Sequence, residues 1–134
     1  MKDFRKLTVW QEAHEIALRI YQLTQQFPPS EIYGLSSQLR RASSSIPANI
    51  AEGCGCDGDR EFARFAQIAF RSASETEYHI ILARDLGYMK SAEYEDINKQ
   101  VTKVKQMLSN LLRKLKADSR KPMADSQFPT RSQT

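Results

Sequence analysis

From Tyr94 to Leu115 the apolar positions Tyr94, Ile97, Val101, Val104, Leu108, Leu111 and Leu115 fall alternately three and four residues apart. Groups at that spacing share one side of a helix. An unbroken heptad predicts a helix packed along its length. Ser91 is placed to cap it, with Glu93 and Glu95 in the first turn, where the helix dipole favours anions. Lys99, Lys103, Lys105, Arg113, Lys114 and Lys116 ride mostly on its outside.

The same periodicity predicts three earlier helices. In the first, Val9, Ala13, Ile16, Ala17, Ile20, Leu23, Thr24 and Phe27 form the inward stripe. Thr8 and Gln11 have capping-box spacing at its start, and Pro28 and Pro29 end it. A link over Pro28–Tyr33 leads to the second helix, Tyr33 to Gly53. The third begins after the breaker cluster Gly53–Asp59, with Asp57 or Asp59 as cap, and runs to Leu86 before the terminating Gly87. At 1.5 Å per residue it is about 40 Å long. Its stripe (Phe62, Phe65, Ala66, Ala69, Phe70, Ala73, Thr76, Ile80, Ala83, Leu86) is too wide for one neighbour. Ala69, Ser72 and Ala73 permit close approach at its middle.

The second helix has two unlike sides. Leu35, Leu39, Ala42, Ile46, Asn49 and Gly53 form one stripe expected to face the core. Asn49 is a polar member of that stripe and reads as a register-fixing residue whose amide needs partners on a neighbouring helix. Arg40, Ser43, Ser44, Pro47 and Ala51 are expected to face outward, flanked by Arg41, Ser45, Ala48 and Glu52. No charge occurs between Arg41 and Glu52. A solvated face normally carries Lys and Glu; one of Ser, Ala and Pro admits another backbone. Arg41, Ser44, Ser45, Pro47, Ala48 and Glu52 are therefore the predicted subunit contact. Pro47 lacks an amide hydrogen and is expected to bend the helix.

No strand candidate and no tandem repeat is evident. Four helices with short links predict an all-α, antiparallel up-and-down four-helix bundle over residues 1–117. Residues 118–134, rich in Ser, Thr, Gln and Pro, are expected to be disordered. The 134 residues, 40% hydrophobic and 27% charged, suit one folded domain. No apolar run approaches the ~20 residues of a membrane span. Met1–Gln11 has no apolar signal core. A cytoplasmic protein is the expectation. Cys54 and Cys56 are too close for a structural disulfide and fit a reducing compartment.

Candidate chemistry changes this picture little. A di-iron bundle needs Glu-x-x-His on two helices. His14 has Gln11 three residues before it and His79 has Thr76. Glu52, Glu75 and Glu77 are instead expected to pair with Arg40, Arg41 or Arg71. Two thiols do not make a zinc site, although a ring could bring several pairs to one axis. No nucleophilic triad and no phosphate-cradling glycine loop is present. The reading is a non-enzyme with no cofactor, no metal and no small-molecule substrate.

The net charge is +4 and the pI about 9.2, compatible with an acidic partner. Arg40, Lys103, Arg113, Lys114 and Lys116, with Lys2, Arg5 and Lys6, are the candidates for phosphate contacts. No aromatic-plus-basic platform for unpaired bases is evident, since Tyr78 and Tyr88 are isolated. Two readings follow: a module binding RNA or a nucleoprotein, or an adaptor oligomer that binds a protein without nucleic acid.

Several segments together carry a family resemblance. They are Phe4–Leu7–Val9-Trp10-Gln11–Ala13, Phe27-Pro28–Glu31–Tyr33-Gly34-Leu35–Gln38–Arg40-Arg41-Ala42, Ser45-Ile46-Pro47-Ala48-Asn49-Ile50-Ala51-Glu52-Gly53, and Glu61-Phe62–Phe65–Ile68-Ala69 with Ser72, Glu75 and Leu86-Gly87-Tyr88. From Phe4 to Leu115 the chain resembles the four-helix-bundle proteins encoded in intervening sequences of bacterial 23S ribosomal RNA genes. The resemblance implies an all-helical bundle assembled as a ring-shaped homopentamer. A similar bundle serves as accessory protein of diversity-generating retroelements, where it binds a reverse transcriptase and nucleic acid. After Gly53 the family usually carries an aromatic or His and then Gly-Arg. This chain has Cys54-Gly55-Cys56, and Arg60 or Arg64 could substitute from the next helix.

Overall fold

The structure, a computed structural model, describes residues 3–119. Four helices carry the fold: α1 (Thr8–Thr24), α2 (Leu35–Cys54), α3 (Asp59–Asp85) and α4 (Ser91–Ser119). One-turn 3-10 segments at Phe4–Lys6 and Pro29–Glu31 precede α1 and α2. No strand occurs among the described residues. The expected disordered tail lies almost wholly outside them; Asp118 and Ser119 extend α4 instead.

Helix ends are fixed less by side-chain caps than the sequence suggests. Thr8 does not cap α1: Leu7 occupies that place, and the Gln11 amide donates to the Arg5 carbonyl at 2.8 Å. Neither Asp57 nor Asp59 caps α3. Gly58 holds that position at φ +85°, leaving Asp59 and Glu61 in the first turn. Ser91 is the first residue of α4, preceded by Lys90, whose N–H donates to Glu93 at 3.0 Å. The reason is shared: each junction is one residue out of register with its capping side chain, so backbone geometry or a returning carboxylate closes the end. Gly87 behaves as predicted. At φ +81° it lets Tyr88 N–H reach the Ala83 carbonyl and its own N–H reach Arg84, closing α3.

At the start of α2, Glu31 accepts from the Leu35 N–H and from the Tyr88 hydroxyl, both at 2.9 Å. The Leu35 N–H first, and then Tyr88, hold the Glu31 carboxyl below its usual range. The same bond, followed by burial, pushes the Tyr88 phenol up. One carboxylate thus ties the α1–α2 link to the end of α3.

The helices pack in a closed order: α1 on α2, α2 on α3, α3 on α4 and α4 on α1. The predicted α1 stripe is buried at every position from Val9 to Phe27. Ile16, Ile20, Leu39, Ile46, Ile50, Ile80, Ile97, Val101, Val104 and Leu108 have no solvent exposure. Burying each such side chain contributes ~1.5–3 kcal/mol. On α4 the stripe drifts: Leu112 is buried and Leu111 only partly. A straight helix turns 3.6 residues per turn, so a 3.5-residue repeat slips sideways over several turns. Leu86, expected inside, is 50% exposed, because α3 has already ended at Asp85.

The α2–α3 contact is the most extensive, and small residues explain it. A Cβ on Gly53 would stand 2.7 Å from the Phe62 ring and 3.0 Å from Phe65 Cβ. Ser45 and Ser72 hydroxyls meet across the helices at 2.9 Å. Asn49 differs from its expected role. It is half-buried and donates to the Ser45 carbonyl at 2.8 Å and the Ser45 hydroxyl at 2.9 Å, so its hydrogen bonds link it to α3 through Ser45.

Candidate functional site

Because α2 packs against both α1 and α3, it buries more than one stripe. Ser43 has no exposure and Pro47 is buried, both against the outward expectation. Pro47 cannot donate to the Ser43 carbonyl, yet the helix continues through it to Cys54. Arg40 is half-buried: its Nε donates to Thr24 Oγ1 at 2.7 Å and its guanidinium lies 5.1 Å from the Tyr21 ring centroid. Arg40 thus fastens α2 to α1.

Below that fastening an apolar groove of about 510 Å³ lies open between α1 and α2. Its α2 wall is Ser44, Pro47, Ala48 and Ala51, a ridge of small groups at helical spacing. Trp10, His14, Leu18 and Tyr21 dominate the α1 wall, with Phe4 at one end. Trp10 and His14 stack with centroids 4.8 Å apart and planes 10° apart, and Phe4 meets Trp10 edge-on at 5.1 Å. Leu18 and Tyr21 are 48% and 47% exposed. Large apolar groups left open beside small ones can take a ridge from another molecule.

Of the predicted contact residues, Ser44, Pro47 and Ala48 line this groove. Arg41 and Glu52 are exposed and form no ion pair among the described residues. Ser45 turns away to α3. The α1 wall went unread in the sequence, although Trp10, His14, Leu18 and Tyr21 recur at four, four and three.

The basic candidates fall elsewhere. Lys103, Arg113, Lys114 and Lys116 are exposed on α4, as is Lys99. Lys103 pairs with Glu12 of α1 at 3.3 Å, and Arg113 donates to Asn110. Arg5 pairs with Asp3 at 3.0 Å, Lys6 is exposed, and Lys2 lies outside the described residues. Glu77 takes Lys105 of α4 at 2.8 Å rather than an Arg of α2 or α3. Glu75, like Glu52, forms no ion pair among the described residues. That exchange has a tertiary cause: Lys105 also lies over Phe70 of α3, 5.2 Å from its ring centroid. An aromatic ring and a cation do meet here, on two helices.

Among the described residues no three His, Cys, Asp or Glu side chains gather as a metal site. His79 is buried on α3, its Nδ1 without a hydrogen-bond partner among those residues. Cys54 is buried, and Cys56 Sγ donates to the Glu52 carbonyl at 3.5 Å. No described helix is long and apolar enough to cross a membrane.

These features define a class: a four-helix bundle that leaves an apolar groove open between two helices and a cationic face on another. The chain belongs to the 23S rRNA-intervening sequence protein family, whose sequence model matches residues 5–110. It is similar to the crystal structure of a protein of unknown function from the S23 ribosomal protein family of Bacteroides thetaiotaomicron VPI-5482. The identity is 28% and the TM-score 0.72, over 79% of this chain and 99% of that one. Among curated proteins none matches.

Proposed function

We propose that the protein is a non-enzymatic, cytoplasmic homo-oligomer that binds RNA or a nucleoprotein through the outer face of α4. The helices run antiparallel, up and down, and the α1–α2 groove is the contact between subunits of a ring, pentameric as the family resemblance implies. One observation carries the reading. From Lys99 to Lys116, α4 has six cations and no carboxylate, and five of the six are exposed. Repetition around a ring multiplies that charge into a strong local field. Binding of this kind rests on phosphate and weakens steeply with salt. Neither a cofactor nor a small-molecule substrate enters the proposal.

The test is a titration of labelled RNA with the purified protein at rising salt. A linear, steep fall of log affinity with log salt supports the reading, and a flat response overturns it. A second reading, an adaptor that binds a protein partner without nucleic acid, draws on the carboxylates of Glu12 and Glu77, which engage two of the α4 lysines. Particle mass and the ratio of absorbance at 260 and 280 nm separate the two. A clean oligomer that never carries nucleic acid favours the adaptor.

A further inference from the structure

Between α3 and α4 a second cleft has chemistry that a phosphate-only surface would not need. Gln67 and Phe70 form one wall; Ser109, Leu112, Arg113 and Lys116 form the other. The α4 members make a single ridge of that helix. The space is about 310 Å³, at the low end of the ~300–1,000 Å³ range of small-ligand sites. A helix, ~10 Å across with its side chains, is too wide for it.

The contents are ordered by polarity. Phe70 is half-buried and Leu112 buried, giving an apolar floor. Arg113 and Lys116 are exposed cations at the rim. Gln67 and Ser109 offer an amide and a hydroxyl, neither hydrogen-bonded among the described residues. Lys105 adds a third cation beside Phe70, fixed there by Glu77. Free phosphate would use the cations and leave the floor idle. A planar base attached to a phosphate uses all three kinds of group, as aromatic side chains and arginines do when they take unpaired bases.

We infer that this cleft takes one unpaired nucleotide of a bound RNA strand. The base lies against Phe70 and Leu112, its phosphate meets Arg113 and Lys116, and its polar edge comes within reach of Gln67 and Ser109. A paired base is stacked inside its helix and does not enter. The inference rests on the RNA-binding reading above and adds to it a preference for single strands.

The experiment compares two labelled RNAs on the full chain by fluorescence anisotropy: an oligouridine of about a dozen nucleotides, within the span of known single-strand sites, and a duplex of equal phosphate count. Phe70→Leu keeps the apolar contact and removes the ring. Ser109→Tyr plugs the cleft from its rim without changing charge. Either variant is expected to weaken oligouridine binding at least about fivefold, the low end of what one stacked base is worth, with duplex binding unchanged. Circular dichroism and particle mass report whether each variant folds, and the rim variant leaves the core alone. If both variants fold and the ratio of single-strand to duplex affinity stays at the parent value, the cleft proposal is overturned and the phosphate reading survives. If the parent protein binds neither RNA, both fall.

Discussion

The α1–α2 groove and the outer face of α4 are two surfaces of one small bundle, built from opposite materials. In the groove, Ala48, Ala51 and Pro47 stand beside Trp10, Leu18 and Tyr21, with no carboxylate and no lysine lining it. Along α4, Lys99, Lys103, Arg113, Lys114 and Lys116 are exposed with no acid between them. An apolar groove gains by losing water, so it suits a lasting contact with a shaped partner. A cationic face gains by releasing counterions from a polyanion, so it suits a salt-sensitive and weakly selective one. If the proposed assembly and RNA binding rest on these two surfaces, substitutions in one should leave the other unchanged.

The strongest perturbation is aimed at the groove. Ala48→Glu places a carboxylate among apolar groups at an exposed position, and the particle is expected to fall to the mass of one chain, 15.4 kDa. Light scattering reads this directly; an unchanged oligomer would show that the groove is not the subunit contact. Next comes the opposite face. Lys99→Glu, Arg113→Glu and Lys114→Glu together should leave the mass alone and weaken RNA binding. The salt slope should become shallower by about 2, at roughly 0.7 per lost phosphate contact on a single strand. Loss of assembly in this variant would merge the two surfaces into one.

Gly53→Ala tests the frame that holds both surfaces. The added methyl meets the Phe62 ring at 2.7 Å, and overpacking of this kind costs about 1–3 kcal/mol. Urea unfolding should show the loss, while mass and RNA affinity of the folded protein stay at parental values.

A smaller, pH-dependent effect is expected at Glu31. Its folded pKa is depressed, so its contribution is present above the ordinary carboxylate value of 4.5 and disappears as pH falls through the folded value. Tyr88 has a raised folded pKa, so its part is present below 10.0 and is lost as pH rises through its folded value. Glu31→Gln should therefore melt below the parent at neutral pH, and the gap should close in acid. A gap that persists in strong acid would mean that the ionised carboxylate is not its source. Smallest of all, Lys103→Ala removes an exposed pair with Glu12 and should change stability by under about 1 kcal/mol. A larger loss would move Lys103 from the cationic face to the framework.

Much of the fold was legible before any coordinates. The α1 and α4 stripes were readable because periodicity is a local property: the same spacing that marks a helix marks its inward side. Gly87 was readable because a left-handed position selects glycine through its own backbone. The family was legible too, from the segment Ser45-Ile46-Pro47-Ala48-Asn49-Ile50-Ala51-Glu52-Gly53 and the residues around it. In the candidate groove only half was legible, the small-residue ridge of α2; the aromatic ridge of α1 stood behind a stronger inward stripe.

Other features depended on which helix stood beside which. Ser43 and Pro47 are buried because α1 covers a side of α2 that carries no apolar stripe of its own. Ser45 leaves the predicted contact because α3 brings Ser72 to 2.9 Å from it. Glu77 takes Lys105, and Phe70 comes to lie beside Arg113 and Lys116, through the packing of α3 on α4. Spacing along one helix fixes which residues share a side; which side meets which neighbour is decided by packing of the whole bundle, where small residues such as Gly53 set how near two helices come.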